Sequence, residues 1–118
     1  MLTLELPFPP SLNHYYRHIG HATLISRRGR VYRETVIKQV ARLRLKPLLG
    51  PLDLELELFP PDRRRRDADN FQKCLVDSIQ HAGVFKDDSQ FVHIEVWKRD
   101  PVPGGKAIVR IKEISQDE

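Results

Sequence analysis

Leu52-Asp53-Leu54-Glu55-Leu56-Glu57-Leu58 alternates leucine with acid over its whole length. A strand turns successive side chains to opposite faces. The segment therefore predicts a strand that buries its leucines and shows its acids to solvent or to a basic neighbour. Upstream, Leu2-Thr3-Leu4-Glu5-Leu6 has the same period and predicts a second strand, stopped by Pro7 to Pro10. Ser11 to Gly29 shows no clean periodicity and reads as a long polar, aromatic and basic loop, of a kind that is usually functional or mobile. Arg30 to Lys46 reads as a helix, with Tyr32, Val36, Val40 and Leu43 on its apolar stripe and Glu34, Lys38 and Arg42 turned away. Pro47, Gly50 and Pro51 end it.

Downstream of the leucine strand, Pro60-Pro61 breaks the pattern and Phe71 to Ala82 reads as a second helix with Phe71, Cys74, Leu75, Ile79 and Ala82 on one stripe. Asp69 is the expected N-cap, with Gln72 completing a capping box, and Gly83 is a natural C′ residue. Phe91 to Lys98 and Ala107 to Ile114 read as the last two strands. Arg99 to Lys106, with two prolines and Gly104-Gly105, is expected to join them as a hairpin. The order β-α-β-α-β-β predicts an α/β (α+β) fold, a mixed sheet with two helices packed on it, as a single domain over residues 1–118. Gln116-Asp117-Glu118 is expected to fray.

At 118 residues and 40% hydrophobic content, the chain suits one modest core rather than disorder. Lys and Arg number 20 against 16 Asp and Glu, a net charge of +4. The distribution says more than the total: from His14 to Lys46, nine cations face Glu34 alone. Such polarity favours a nucleic-acid partner over an acidic small molecule, although a solvated basic helix face would look the same. Cys74 is the single cysteine. It excludes a disulfide or a thiolate metal site within the chain, and it suits a reducing cytosol. No apolar run approaches the ~18 residues of a membrane span, so a cytoplasmic protein without a membrane partner is expected.

The chemistry concentrates in Arg63-Arg64-Arg65-Arg66-Asp67-Ala68-Asp69-Asn70. Four cations meet two carboxylates where a helix begins. The plain reading is that the acids cap the helix and complement its dipole. Three features point further. Asp87-Asp88 supplies a second acidic pair, and Asp88 can reach back to Asp69 only with little slack: a helix of ~18 Å faces a connection of at most ~20 Å. Service to a neighbouring subunit's site stays open. Three hard oxygen donors suit Mg²⁺, with Mn²⁺ as a substitute, and no organic cofactor is called for. Lys73, four residues after Asp69, shares its helical face and can pair with it or meet a phosphate. A divalent ion would polarise a phosphoryl oxygen and activate water, while Arg63, Arg64, Arg65 and Arg66 grip the backbone. These residues alone do not separate DNA from RNA, or cleavage from binding. A non-catalytic binding module and a nuclease acting on RNA or flaps both remain alternatives.

Pro9-Pro10-Ser11-Leu12-Asn13-His14-Tyr15-Tyr16-Arg17, Pro61-Asp62 with the arginines into Asp67-x-Asp69-Asn70 and Gln72-Lys73, then Phe85-Lys86-Asp87-Asp88 and Gly104-Gly105, occur in the order of one known family. The chain resembles the RusA family of Holliday junction resolvases over nearly its full length. The resemblance implies a Mg²⁺-dependent DNA endonuclease in which Asp67, Asp69 and Asp88 bind metal and Lys73 takes part in catalysis. It also implies a homodimer that cuts opposed strands of a four-way junction symmetrically in DNA recombination and repair, often carried by prophages. Asn13, Tyr15, Tyr16 and Arg17 join the arginine run as expected DNA contacts, with the tyrosines stacking on unpaired bases. The bland alternative packs one tyrosine on the sheet and exposes the other. His14, His18 and His21 have no assigned role, Cys74 reads as inert core, and Trp97 either covers a dimer contact or shields the sheet.

Overall fold

The leucines and acids divide as their alternation requires. Strand β4 (Leu52–Phe59) runs through the sheet with Leu52, Leu54, Leu56 and Leu58 buried. Its acids lie on the opposite face, where Arg110 bonds Glu55 at 3.3 Å and Glu57 at 2.5 Å. The computed structural model describes residues 1–114; the tail Gln116-Asp117-Glu118 lies outside them. The sheet order is β1-β6-β4-β5, with β1 Leu2–Leu6, β5 Phe91–Lys98 and β6 Lys106–Glu113. β6 is antiparallel to β1 and β4, whereas β4 and β5 are parallel, so the sheet is mixed.

That order corrects one expectation. β5 and β6 do not form a hairpin; β4 lies between them. The connection crosses the end of β4 instead: the Arg99 amide donates to Leu58 O at 2.8 Å and the Val102 amide to Pro60 O at 2.9 Å. Gly105 has a φ of 70°, and a Cβ there would stand 3.0 Å from Phe8 and Pro61. Prolines and paired glycines satisfy such a crossing as well as they satisfy a hairpin turn, so local chemistry could not choose. What chooses is β4, whose leucines are best buried with a strand on each side.

Two helices cover the leucine face, α2 (Arg27–Ala41) and α3 (Ala68–His81). Tyr32, Val36 and Val40 from α2 and Phe71, Cys74, Leu75 and Ile79 from α3 are buried against the leucines. Each fully buried leucine contributes about 1.5–3 kcal/mol of transfer free energy. α2 begins three residues before its expected start, because Ser26 caps it by accepting the Gly29 amide at 2.9 Å. It ends at Ala41, before the expected Lys46. Leu43 therefore lies past the helix and is exposed, and Arg44 takes a positive φ of 51°.

The expected loop from Ser11 is structured. A single helical turn, α1 (Leu12–Tyr15), leads into a hairpin of β2 (Tyr16–Ile19) and β3 (Ala22–Ile25). Gly20 turns the hairpin at φ 58°. Arg17, His18, Ile19, Ala22, Thr23 and Leu24 are all exposed, so the two strands carry no buried face and leave no alternation to read.

Candidate metal and nucleic-acid site

From the end of β4 the chain turns sharply into the arginine run. Asp62 organises that turn: its carboxylate accepts the Arg64 amide at 2.9 Å and the Arg66 guanidinium at 2.8 Å. The Arg66 hydrogen bond is the main cause that holds the Asp62 carboxyl below the usual carboxylate range. Arg66 also lies over the Phe8 ring at 5.6 Å, and its carbonyl accepts from Lys98. Of the four arginines it is the one built into the fold. Arg63, Arg64 and Arg65 stay exposed to meet a polyanion, Arg64 with only a long 3.9 Å approach to Asp62.

The turn delivers two exposed carboxylates to the start of α3. Asp67, rather than Asp69, is the N-cap residue, and its side chain makes no capping hydrogen bond. Asp69 falls in the first turn. The capping box expected at Asp69 and Gln72 is therefore not formed, since the N-cap lies two residues earlier. Both acids enjoy the favourable potential of a helix N-terminus while keeping their oxygens available. Lys73 is exposed one turn further on. It enters no ion pair among those of the described residues.

Asp88 stands elsewhere. It opens a 3-10 turn, Asp88–Gln90, directly before β5. Asp87 caps that turn: its carboxylate accepts from the Ser89 hydroxyl at 2.9 Å, and Gln90 Oε1 accepts the Asp87 amide at 3.0 Å. The neighbouring acids thus divide the work, Asp87 holding the turn and Asp88 remaining exposed. Hydrogen bonding to Asp87, ahead of burial and that neighbour's charge, pushes the Asp88 carboxyl up. Gln80, near the C-terminus of α3, donates to the Lys86 carbonyl at 3.2 Å and ties this loop to the far end of the helix. Asp67 and Asp69 sit at the near end. From Asp69 to Gln80 the helix rises about 17 Å, which sets the loop carrying Asp88 apart from the first acidic pair. The parallel strands agree: Phe91, just after Asp88, pairs with Leu52, whereas Asp67 follows the opposite end of β4. Among the described residues, no group of three or more His, Cys, Asp and Glu side chains could hold a metal ion.

The other expected DNA contacts separate into two kinds. Asn13 and Arg17 are exposed and Tyr16 is half-buried. Tyr15 is fully buried, so its ring belongs to the core and is not presented for stacking. Its hydroxyl donates to Asp77 at 2.5 Å and lies 3.2 Å from Ser78 Oγ, while Arg33 bridges to Asp77 at 2.7 Å. Burial, then the Asp77 hydrogen bond, pushes Tyr15 up to about 12. Cys74 is likewise pushed up to about 12 by burial and is inert core. Trp97 lies on the open sheet face, bonded to Glu95 at 2.6 Å, with Arg99 4.7 Å from its ring.

Sequence reasoning missed Arg27 and Arg28, which open α2 and line a groove with Arg64, Arg65 and Arg66. Ser26 was the available signal, as a helix cap in front of two cations.

A family model described as Endodeoxyribonuclease RusA matches residues 7–112. Crossover junction endodeoxyribonuclease RusA of Shigella sonnei is 39% identical over 116 residues, 98% of this chain and 97% of the relative. The protein of that name from Escherichia coli strain K12 is 38% identical with the same coverage. The one from Enterobacteria phage HK97 is 42% identical over 110 residues, 92% of each chain.

Proposed function

The chain belongs to the RusA family of endodeoxyribonucleases, and on that premise we propose that residues 1–118 act as one Mg²⁺-dependent domain that resolves Holliday junctions by paired, symmetric nicks. The relatives' names carry the junction as substrate, and the nine cations from His14 to Lys46 suit so large a polyanion. The setting we propose is cytoplasmic DNA recombination and repair, in a cell or its prophage. Among the described residues no helix is long and apolar enough to cross a membrane.

The observation that carries the mechanism is the free Asp67 and Asp69 pair at the N-terminus of α3 beside exposed Lys73 and the arginine turn. Two uncapped carboxylates fit a hard divalent cation, but two protein ligands are few for one. Asp88 of the same subunit belongs to the loop that Gln80 holds toward the far part of α3 and does not group with them among the described residues. The donor set is therefore completed across an isologous dimer, with Asp67 and Asp69 of one subunit meeting Asp88 of the partner subunit. β5 supports such a contact. It is an edge strand whose Val92 and Ile94 are 64% and 44% exposed, and it starts where the Asp88 turn ends. A bound Mg²⁺ would supply Lewis-acid polarisation and an activated water at the scissile phosphate. Lys73 would contact that phosphate, Arg63, Arg64 and Arg65 would neutralise the flanking backbone, and Arg66 would keep the turn in shape. Asn13, Tyr16 and Arg17 would add contacts from the hairpin side.

A gel assay comparing a four-way junction, linear duplex, flap and RNA hairpin, with and without Mg²⁺, tests the reading. Symmetric nicks on the junction alone are expected. Asp69→Asn should cut about a thousandfold more slowly or worse, consistent with losing several kcal/mol of charge stabilisation, while still binding the junction. Normal cleavage by that variant would refute the site.

A further inference from the structure

Beside the entrance to α3 lies a groove of about 760 Å³. Five guanidiniums line it, from Arg27 and Arg28 at the start of α2 and from Arg64, Arg65 and Arg66 in the turn after β4. No carboxylate among the described residues lines it. Asp62 pairs with Arg66 and approaches Arg64, but Arg27, Arg28 and Arg65, gathered from two distant parts of the chain, have no carboxylate partner among the described residues and call for a polyanion. Arg27 and Arg28 add a second argument. The first turn of α2 contains no acid, so these two cations face the unfavourable end of the helix dipole. A bound anion would relieve that repulsion.

The lining is not only charged. Phe8 and Phe71 pack with ring centroids 5.1 Å apart, Arg66 lies over Phe8, and Pro7 and Pro10 extend the apolar surface. A duplex shows a protein its phosphates and keeps its base faces stacked. An unpaired base offers a flat π-face that an apolar, arginine-edged surface rewards. Arg66 directly precedes Asp67 and Phe71 stands in the opening turns of α3, so a nucleotide held here lies next to one held at the carboxylates.

We propose that this groove binds an unpaired nucleotide of the DNA strand adjacent to the scissile phosphate, with Arg27 and Arg28 as its phosphate contacts. The inference rests on the nuclease reading above for the word scissile, and on the groove alone for the preference for unpaired DNA.

The test uses the full chain carrying Asp69→Asn, with fluorescein-labelled (dT)8 and an eight-base-pair DNA hairpin as probes, followed by anisotropy across a salt series. Replacing Arg27 and Arg28 together by Ala should weaken (dT)8 binding about tenfold or more. It should also flatten the slope of log K against log salt by about 1.4, or about 0.7 for each lost single-strand phosphate contact. Val31 lines the groove and is 56% exposed, so Val31→Glu places a carboxylate there without disturbing the core. It should weaken (dT)8 about tenfold and the hairpin less than about twofold. Ala41→Glu makes the same charge change at the exposed far end of α2 and should alter neither probe more than about twofold. An unchanged salt slope, or equal losses on both probes, would overturn the groove. Junction cleavage by the chain with Asp69 intact is scored in parallel: its absence strikes the nuclease reading, whereas equal losses on the two probes strike the groove.

Discussion

Single residues here are assigned by what their neighbours leave free. Asp67 and Asp69 look alike in sequence, and so do Asp87 and Asp88, yet local hydrogen bonding sorts the second pair. Asp87 accepts from Ser89 and caps a turn, and Asp88 remains open. Tyr15 and Tyr16 are sorted by packing. The Tyr15 hydroxyl ties α1 to α3 through Asp77 and Ser78, which makes it a structural residue. Tyr15→Phe should therefore cost about 1 kcal/mol of stability, measured as a lower urea midpoint. The cost stays modest because Asp77 keeps Arg33 and Ser78 keeps the Cys74 carbonyl. Junction binding by that variant should be unchanged, since the buried ring has no route to a base. Spacing alone could not tell the two tyrosines apart, because the distinction lies in a partner 62 residues away.

At the scale of elements, strands and helices with a buried face were legible, and those without one were not. β4 was readable from alternation and bounding prolines, and α3 from its stripe with Gly83 at its end. Beyond its base at Tyr16 and Ile25 the β2–β3 hairpin has both faces in water, and hydrophobic patterning carries no information about such an element. α2 was misplaced for a related reason. Gly29 lowers helix propensity, so it reads as part of the preceding loop. It is nevertheless buried in the first turn, because a Cβ there would lie 2.3 Å from the Tyr15 carbonyl. α1 and α2 thus approach so closely that only glycine fits. Gly29→Ala should destabilise the protein by about 1–3 kcal/mol, the usual range for forced overpacking. Thermal unfolding would register the loss, and a Tm within a degree of the parent would contradict the close approach.

The whole molecule raises the question of where the active site is. One subunit presents Asp67 and Asp69 at one end of α3 and Asp88 at the other, so the proposed site needs two subunits. Mixing inactive Asp69→Asn and Asp88→Asn proteins tests this directly. In an isologous dimer with sites shared across the interface, each mixed dimer recovers one intact site, so an equal mixture regains about a quarter of the sites and nicks single strands. If each subunit kept its own three aspartates, the mixture would stay as dead as its parts. The sequence by itself determined the family, the mixed sheet with its buried leucine face, and the residue types suited to metal and phosphate, because these depend on short-range order along the chain. Only the tertiary structure decided that β4 separates β5 from β6, that Tyr15 is core, and that Arg27 and Arg28 meet the later arginine run. It also kept Asp88 from grouping with Asp67 and Asp69 among the described residues. Each of these is a distance between residues far apart in sequence, fixed by which leucine face is buried and by what packs on it.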